Sequence, residues 1–166
     1  MENLKVVIAD DEERICQLIQ ALVDWDGLGI ELAEMAHNGI EAFDVVQKVR
    51  PDILITDIRM PGLSGLELIE KVKAACPEVE IIIISGYAHF EYAQQAIRFG
   101  VGHYLLKPIN KAELTETLEK LKSKIDQRQE SERDKQVLIQ KAQKNEDYMR
   151  SKLLTQLLNG EQVSLT

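Results

Sequence analysis

Five short apolar runs divide the first part of this chain: Leu4 to Ala9, Ile30 to Ala36, Ile53 to Ile55, Ile81 to Ile84 and His103 to Leu106. Each is too short for a buried helix, and most are β-branched, as buried strands require. Helical spacing fills the gaps between them. Ile15, Leu18, Ile19, Leu22 and Val23 follow the first run; Ile40, Ala42, Phe43, Val46 and Val49 follow the second. Leu68, Ile69 and Val72 follow the third, Phe90 to Phe99 the fourth, and Leu114, Leu118, Leu121 and Ile125 the fifth. Strand and helix alternating five times implies an α/β fold with a parallel sheet covered on both faces. Right-handed crossovers then leave few topologies, and the strand order 2-1-3-4-5 is the natural one.

The punctuation agrees with this frame. Trp25-Asp26-Gly27-Leu28-Gly29 is expected to be a loop, Asn38-Gly39 a helix entry, and Arg50-Pro51-Asp52 a helix end. Ser64 with Glu67 three residues later has the spacing of a capping box. Cys76-Pro77 ends that helix, and Gly100 stops the next one.

With 166 residues, 45% of them hydrophobic, the chain can hold one domain with a real core and an appendage. The formal charge of −8 argues against this piece gripping nucleic acid on its own. Cys16 and Cys76 form neither a disulfide framework nor a zinc pair, and are expected to be small core residues in a reducing compartment. The amino terminus lacks the pattern of a signal peptide, and no apolar run approaches membrane-spanning length. A cytoplasmic protein with no membrane contact is expected.

Polar residues stand at the tips of four strands. Asp10-Asp11 follows the first, Asp57 the third, Ser85 the fourth and Lys107 the fifth. In a parallel sheet these tips share one edge, and ligands of open α/β sheets bind outside it where the strand order reverses. Strands one and three are neighbours there, so Asp10, Asp11 and Asp57 should converge. Three carboxylates repel one another unless a cation sits among them. Oxygen ligands without His or Cys suit Mg²⁺, which usually also holds a phosphate. An ammonium and a hydroxyl can both bind phosphoryl oxygens, and a carboxylate can form an aspartyl-phosphate. Asp57, between the acidic pair and the Ser85/Lys107 side, is the expected nucleophile.

Val6-Val7-Ile8-Ala9-Asp10-Asp11, Asp57-Ile58-Arg59-Met60-Pro61-Gly62, Ile84-Ser85-Gly86 and Tyr104-Leu105-Leu106-Lys107-Pro108 occur in this order over residues 4–121. Together they resemble the receiver domain of a bacterial two-component response regulator, with its flavodoxin-like (βα)5 fold. The resemblance implies that Asp57 accepts a phosphoryl group from a sensor histidine kinase. It implies that Asp11 and Asp57 ligate Mg²⁺ with the backbone carbonyl of Arg59, while Asp10 helps through water. It further implies that Ser85 and Tyr104 form the switch, that Lys107 meets the phosphoryl oxygens, and that the Lys107–Pro108 bond is cis. Arg59 and Tyr87 flank the site at positions that tune dephosphorylation in the family. Phosphorylation is then expected to alter the face made by the fourth and fifth long helices and the last strand, roughly His89 to Leu121.

The domain reading is a receiver over 1–122 and a helical linker over 123–166. Lys122 to Lys135 is nearly all polar, which fits a solvated helix or a disordered linker. Apolar residues return at Val137, Leu138, Ile139, Ala142 and Met149 and cluster at Leu153, Leu154, Leu157 and Leu158. A homodimer is expected, through the switch face or through this extended carboxyl-terminal helix. Ser85-Gly86-Tyr87, Phe90-Glu91-Tyr92-Ala93 and Leu157-Leu158-Asn159-Gly160 are similar to the AraC-type (YesN-like) subfamily. That resemblance implies DNA contact only through an output domain lying outside this chain. A receiver-like interaction module that never cycles phosphate is the alternative. A phosphatase of the haloacid dehalogenase type fits less well, because Arg59 stands where its second aspartate belongs. His37, His89 and His103 are expected on the surface or in loops, and Trp25 as packing for the loop after the first helix.

Overall fold

The computed structural model describes residues 3–86 and 90–158, with side chains described through Ser151 apart from that of Phe90. Tyr87, His89 and the Asn159-Gly160-Glu161 end of the linker lie outside the described residues, as do the side chains of the Leu153–Leu158 cluster. Five strands, β1 (Leu4–Ala9), β2 (Ile30–Ala36), β3 (Ile53–Thr56), β4 (Glu80–Ser85) and β5 (His103–Leu106), form one sheet in the order β2-β1-β3-β4-β5. All four pairings are parallel. The helices are α1 (Glu13–Leu22), α2 (Trp25–Leu28), α3 (Gly39–Val49), α4 (Gly65–Ala75), α5 (Phe90–Arg98) and α6 (Lys111–Leu158).

Strand composition explains the layering. Every residue of β3 and β4 is buried, so both faces of the sheet are covered. Val7, Leu54, Ile81 and Ile83 pack with Ala42, Val45 and Val46 of α3, Leu68, Ile69 and Val72 of α4, and Ala96 of α5. The two-residue side-chain period sends Val6, Ile8, Ile53, Ile55, Ile82 and Ile84 to the opposite face. Cys16 and Ile19 of α1 and Leu114, Leu118 and Leu121 of α6 are buried there.

Several helix ends follow from single residues. Asn38 caps α3 through the Glu41 amide at 2.8 Å, and Ser64 caps α4 through the Glu67 amide at 3.2 Å. The expected capping box is changed in one bond: the Ser64 hydroxyl donates to the Glu67 carboxylate at 3.2 Å. Gly100, past α5, has φ +84°, which an L side chain rarely adopts.

One local expectation needs correction. Trp25–Leu28 is a helical turn, because the Asp24 carboxylate caps it through the Gly27 amide at 3.1 Å and Gly29 closes it at φ +70°. His103 opens β5 as expected, its backbone pairing with Ile82, and its side chain is half-buried.

The chain divides into two compact units, 1–123 and 124–166. In the second, α6 stays helical through the polar stretch, and Val137, Leu138, Ile139, Tyr148 and Met149 are exposed. Among the described residues no helix is long and apolar enough to cross a membrane.

Leu118 is fully enclosed at 0% exposure. Leu118→Ala is expected to cost about 2–5 kcal/mol of stability. A urea titration checks this, as a lower midpoint with an unchanged slope.

Candidate functional site

Backbone pairing continues one residue past the strand ends, and this builds the site. The Asp10 amide donates to Ala36 carbonyl oxygen at 3.0 Å, and the Asp57 amide to that of Ala9 at 3.0 Å. The Lys107 amide donates to Ser85 carbonyl oxygen at 2.9 Å. The ladder thus seats two carboxylates and an ammonium on one edge before any side chain interacts.

The side chains then join. The Lys107 ammonium donates to Asp10 Oδ2 at 3.1 Å and to Asp57 Oδ2 at 3.0 Å. The other Asp57 oxygen, Oδ1, accepts from the Ile58 amide at 2.6 Å. Asp10 Oδ1 accepts from the Glu12 amide at 2.9 Å and so sets the entry to α1. Asp10 is only 2% exposed and Asp57 6%. Asp11 is exposed, yet a carboxylate oxygen of each of Asp10, Asp11 and Asp57 lies within 4.8 Å of the others.

Charge in this cluster is unbalanced, with three carboxylates around one shared ammonium. Burial raises the Asp10 pKa above the usual carboxylate range, against the Glu12 hydrogen bond and the Lys107 charge that lower it. At Lys107 burial pulls the other way, but the hydrogen bond and charge of Asp57, then those of Asp10, outweigh it and raise its pKa. Lys107 is therefore held as the cation, while burial makes the Asp10 charge costly.

All the donor atoms are carboxylate oxygens, which suits a hard divalent cation, and a buried excess of negative charge is what such an ion relieves. The residues present fit that group. Arg59, exposed on the loop after β3, reaches the same place: a cleft of about 410 Å³ beside the cluster is lined by Asp11, Arg59 and Tyr92 among others.

Ser85 ends β4 fully buried, and half-buried Tyr104 on β5 hydrogen-bonds to its side chain. Burial pushes the Tyr104 phenol pKa up, against that hydrogen bond. The Lys107–Pro108 peptide bond is cis. Nearby, the Cys16 thiol donates to the Asp10 carbonyl at 3.6 Å, and burial pushes its pKa to about 11, which makes it a core group and not a nucleophile.

Three participants were not legible in the sequence. The His37 ring lies 3.4 Å from the Asp10 carbonyl. A Cβ on Gly65 would stand 1.9 Å from the Asp57 carbonyl oxygen, and one on Gly39 would stand 1.9 Å from that of Leu63. Asn38-Gly39 and Ser64-Gly65 carry the signal of helix entries, but only tertiary contact shows that a backbone passes against each glycine.

The family model described as the response regulator receiver domain matches residues 6–119. Over 157 residues, 94% of this chain, the sequence is 40% identical to the uncharacterized transcriptional regulatory protein YesN of Bacillus subtilis strain 168, spanning 41% of that protein. It is 37% identical over 117 residues to the transcriptional regulatory protein HptR of Staphylococcus aureus, covering 70% of this chain and 46% of HptR. The chain thus spans less than half the length of these two relatives. Among solved structures, the receiver domain of AraT, a response regulator from Geobacillus stearothermophilus, superposes with a TM-score of 0.73 at 40% identity, over 78% of this chain and 99% of that one. A two-component transcriptional regulator AraC from Clostridium phytofermentans gives 0.69 at 29% identity, over the same shares. With its sheet order and its acidic strand-tip cluster, the chain belongs to the response regulator receiver domain family of two-component systems.

Proposed function

We propose that the chain is a phosphorylation switch in which Asp57 accepts a phosphoryl group from a sensor histidine kinase, with Mg²⁺ required. One observation carries this reading: the Asp57 carboxylate sits at a strand tip, held on one oxygen by the Ile58 amide and on the other by the Lys107 ammonium, next to two further carboxylates. An oxygen of Asp57 would attack phosphorus, the phosphorus–nitrogen bond of the donor histidine would break, and the departing imidazole nitrogen would take up a proton. Asp10, Asp11, Asp57 and the Arg59 carbonyl are the proposed Mg²⁺ holders. The ion would supply neutralisation of charge on the transferring group.

Within the chain, Lys107 fixes the carboxylate before transfer and would follow the negative charge onto the phosphoryl oxygens afterwards. Ser85 is its backbone neighbour, and Tyr104 is hydrogen-bonded to the Ser85 side chain. A shift of the Ser85 hydroxyl toward the new acceptor would free Tyr104 and alter the α5-β5-α6 face. Ile97 and Leu106 expose apolar surface in α5 and β5, which suits a homodimer contact. The match to YesN covers 94% of the chain and so takes in the long helix as well as the receiver. Residues 1–122 are accordingly proposed as the receiver. Residues 123–166 are proposed as a helical, dimerising connector to a DNA-binding output lying outside this chain.

Incubation with acetyl phosphate and Mg²⁺ is expected to add one phosphoryl group, read by intact mass. Chelation or Asp57→Asn should cut labelling to below about a tenth. Unlabelled, folded wild type with no affinity for Mg²⁺ would leave an interaction module instead.

The raised Asp10 pKa gives a second outcome. The folded state binds the Asp10 proton more tightly than the unfolded state does, so ionisation penalises folding at neutral pH. Asp10→Asn should therefore stabilise the metal-free protein at pH 7, by on the order of 1 kcal/mol. That gain should vanish as pH falls below about 4, where the carboxyl is protonated in both states. Thermal melts in chelator across pH check the sign. With Mg²⁺ at about 100 times its dissociation constant, wild type should gain about 2.7 kcal/mol, and Asp10→Asn much less.

A further inference from the structure

The loop between β3 and α4 is held as a closed unit. At its ends the Gly65 amide donates to the Ile58 carbonyl at 2.6 Å. At its crest the Leu63 amide donates to the Pro61 carbonyl at 3.0 Å, and the Gly39 amide reaches that same oxygen at 3.4 Å. Gly39 belongs to α3, so a different element of the fold grips the crest. The grip is close: a Cβ on Gly39 would lie 1.9 Å from the Leu63 carbonyl oxygen and 2.6 Å from Leu63 Cβ. Backbone atoms at that range cannot swing aside as the end of a flexible side chain can.

We infer that Gly39 is a positioning residue for the cation site, setting the height of the 58–65 loop and with it the place of the Arg59 carbonyl. The inference rests on the reading that this loop contributes a ligand to Mg²⁺. Relief of the clash would need a movement of roughly 1 Å, since real carbon–oxygen contacts lie near 3 Å or beyond. Which side yields follows from burial. Ala42, Val45 and Val46 anchor α3 in the core, and Asn38 caps it. On the loop, Ile58 and Leu63 are buried, but Arg59, Pro61 and Gly62 between them are exposed, so that stretch has room to give. The loop should therefore move and α3 should stay. Mg²⁺ tolerates little distortion of its ligand shell, so a displaced carbonyl weakens binding even with all three aspartates in place.

Gly39→Ala is tested in the full 166-residue chain beside Ala42→Gly, a change on the same helix that loses stability without pressing on the loop. Calorimetric titration with Mg²⁺ alone is expected to show binding about tenfold or more weaker in Gly39→Ala and near wild type in Ala42→Gly. Hydrogen exchange in chelator should be faster over residues 58–65 in Gly39→Ala only. Wild-type Mg²⁺ affinity in Gly39→Ala, or equal weakening in Ala42→Gly, overturns the positioning role. Failure of wild type to bind Mg²⁺ overturns the metal reading itself and the inference with it. If Gly39→Ala does not fold, Leu63→Ala takes its place. It strips the crest of its anchor, and unchanged Mg²⁺ binding there is equally fatal.

Discussion

The Lys107 ammonium stands between two buried carboxylates, and most of the site's behaviour follows from that sharing. One cation cannot neutralise Asp10, Asp57 and Asp11 together. Asp10 and Asp57 are held by the sheet ladder through their own amides, so neither can retreat from the other. The cluster keeps an unmet demand for positive charge at the edge where the strand order reverses. Such an arrangement lowers stability in the absence of a cation and favours any ligand that brings one. The demand for a cation and a cost in stability thus come from the same charges.

Much of the frame was legible in the sequence because it depends on periodicity. The bounds of β1, β2 and β5 follow from short apolar runs between turn residues, and the order 2-1-3-4-5 from alternation with right-handed crossovers. The convergence of the acidic strand tips follows from that order. The sharing of Lys107 was not legible. The chain reads as if Lys107 waits for a phosphoryl group, whereas it already pairs with Asp10 and Asp57 across 97 and 50 residues of sequence. Gly39 and Gly65 show the same limit. A glycine that starts a helix and a glycine that lets two backbones touch are identical in sequence, and only packing separates them.

The long carboxyl-terminal helix makes a different point about propensity and packing. Residues 122–135 contain one apolar side chain, Ile125, and the sequence left a helix and a disordered linker open. The helix is continuous there because Glu, Lys, Gln and Arg favour it and no proline interrupts. Further along, Leu138, Ile139 and Met149 are exposed. A solvated helix of this length with apolar residues returning toward its end has reason to associate.

The site also divides its parts by rigidity. Asp10, Asp57 and Ser85 sit at the ends of strands that are buried on both faces, so their backbones are poor candidates for movement. Lys107 ends a long side chain, the Ser85 hydroxyl can rotate about one bond, and Tyr104 is only half-buried. A change of charge at Asp57 would therefore be expressed through these three side chains before it altered the sheet. The Ser85–Tyr104 hydrogen bond makes that order physically reasonable. It joins the most enclosed member of the group to the half-buried side chain on β5, and whatever draws the Ser85 hydroxyl away leaves a partly desolvated phenol needing a new partner. That cost at Tyr104 gives a local event at a strand tip a way to reach the surface without deforming the core.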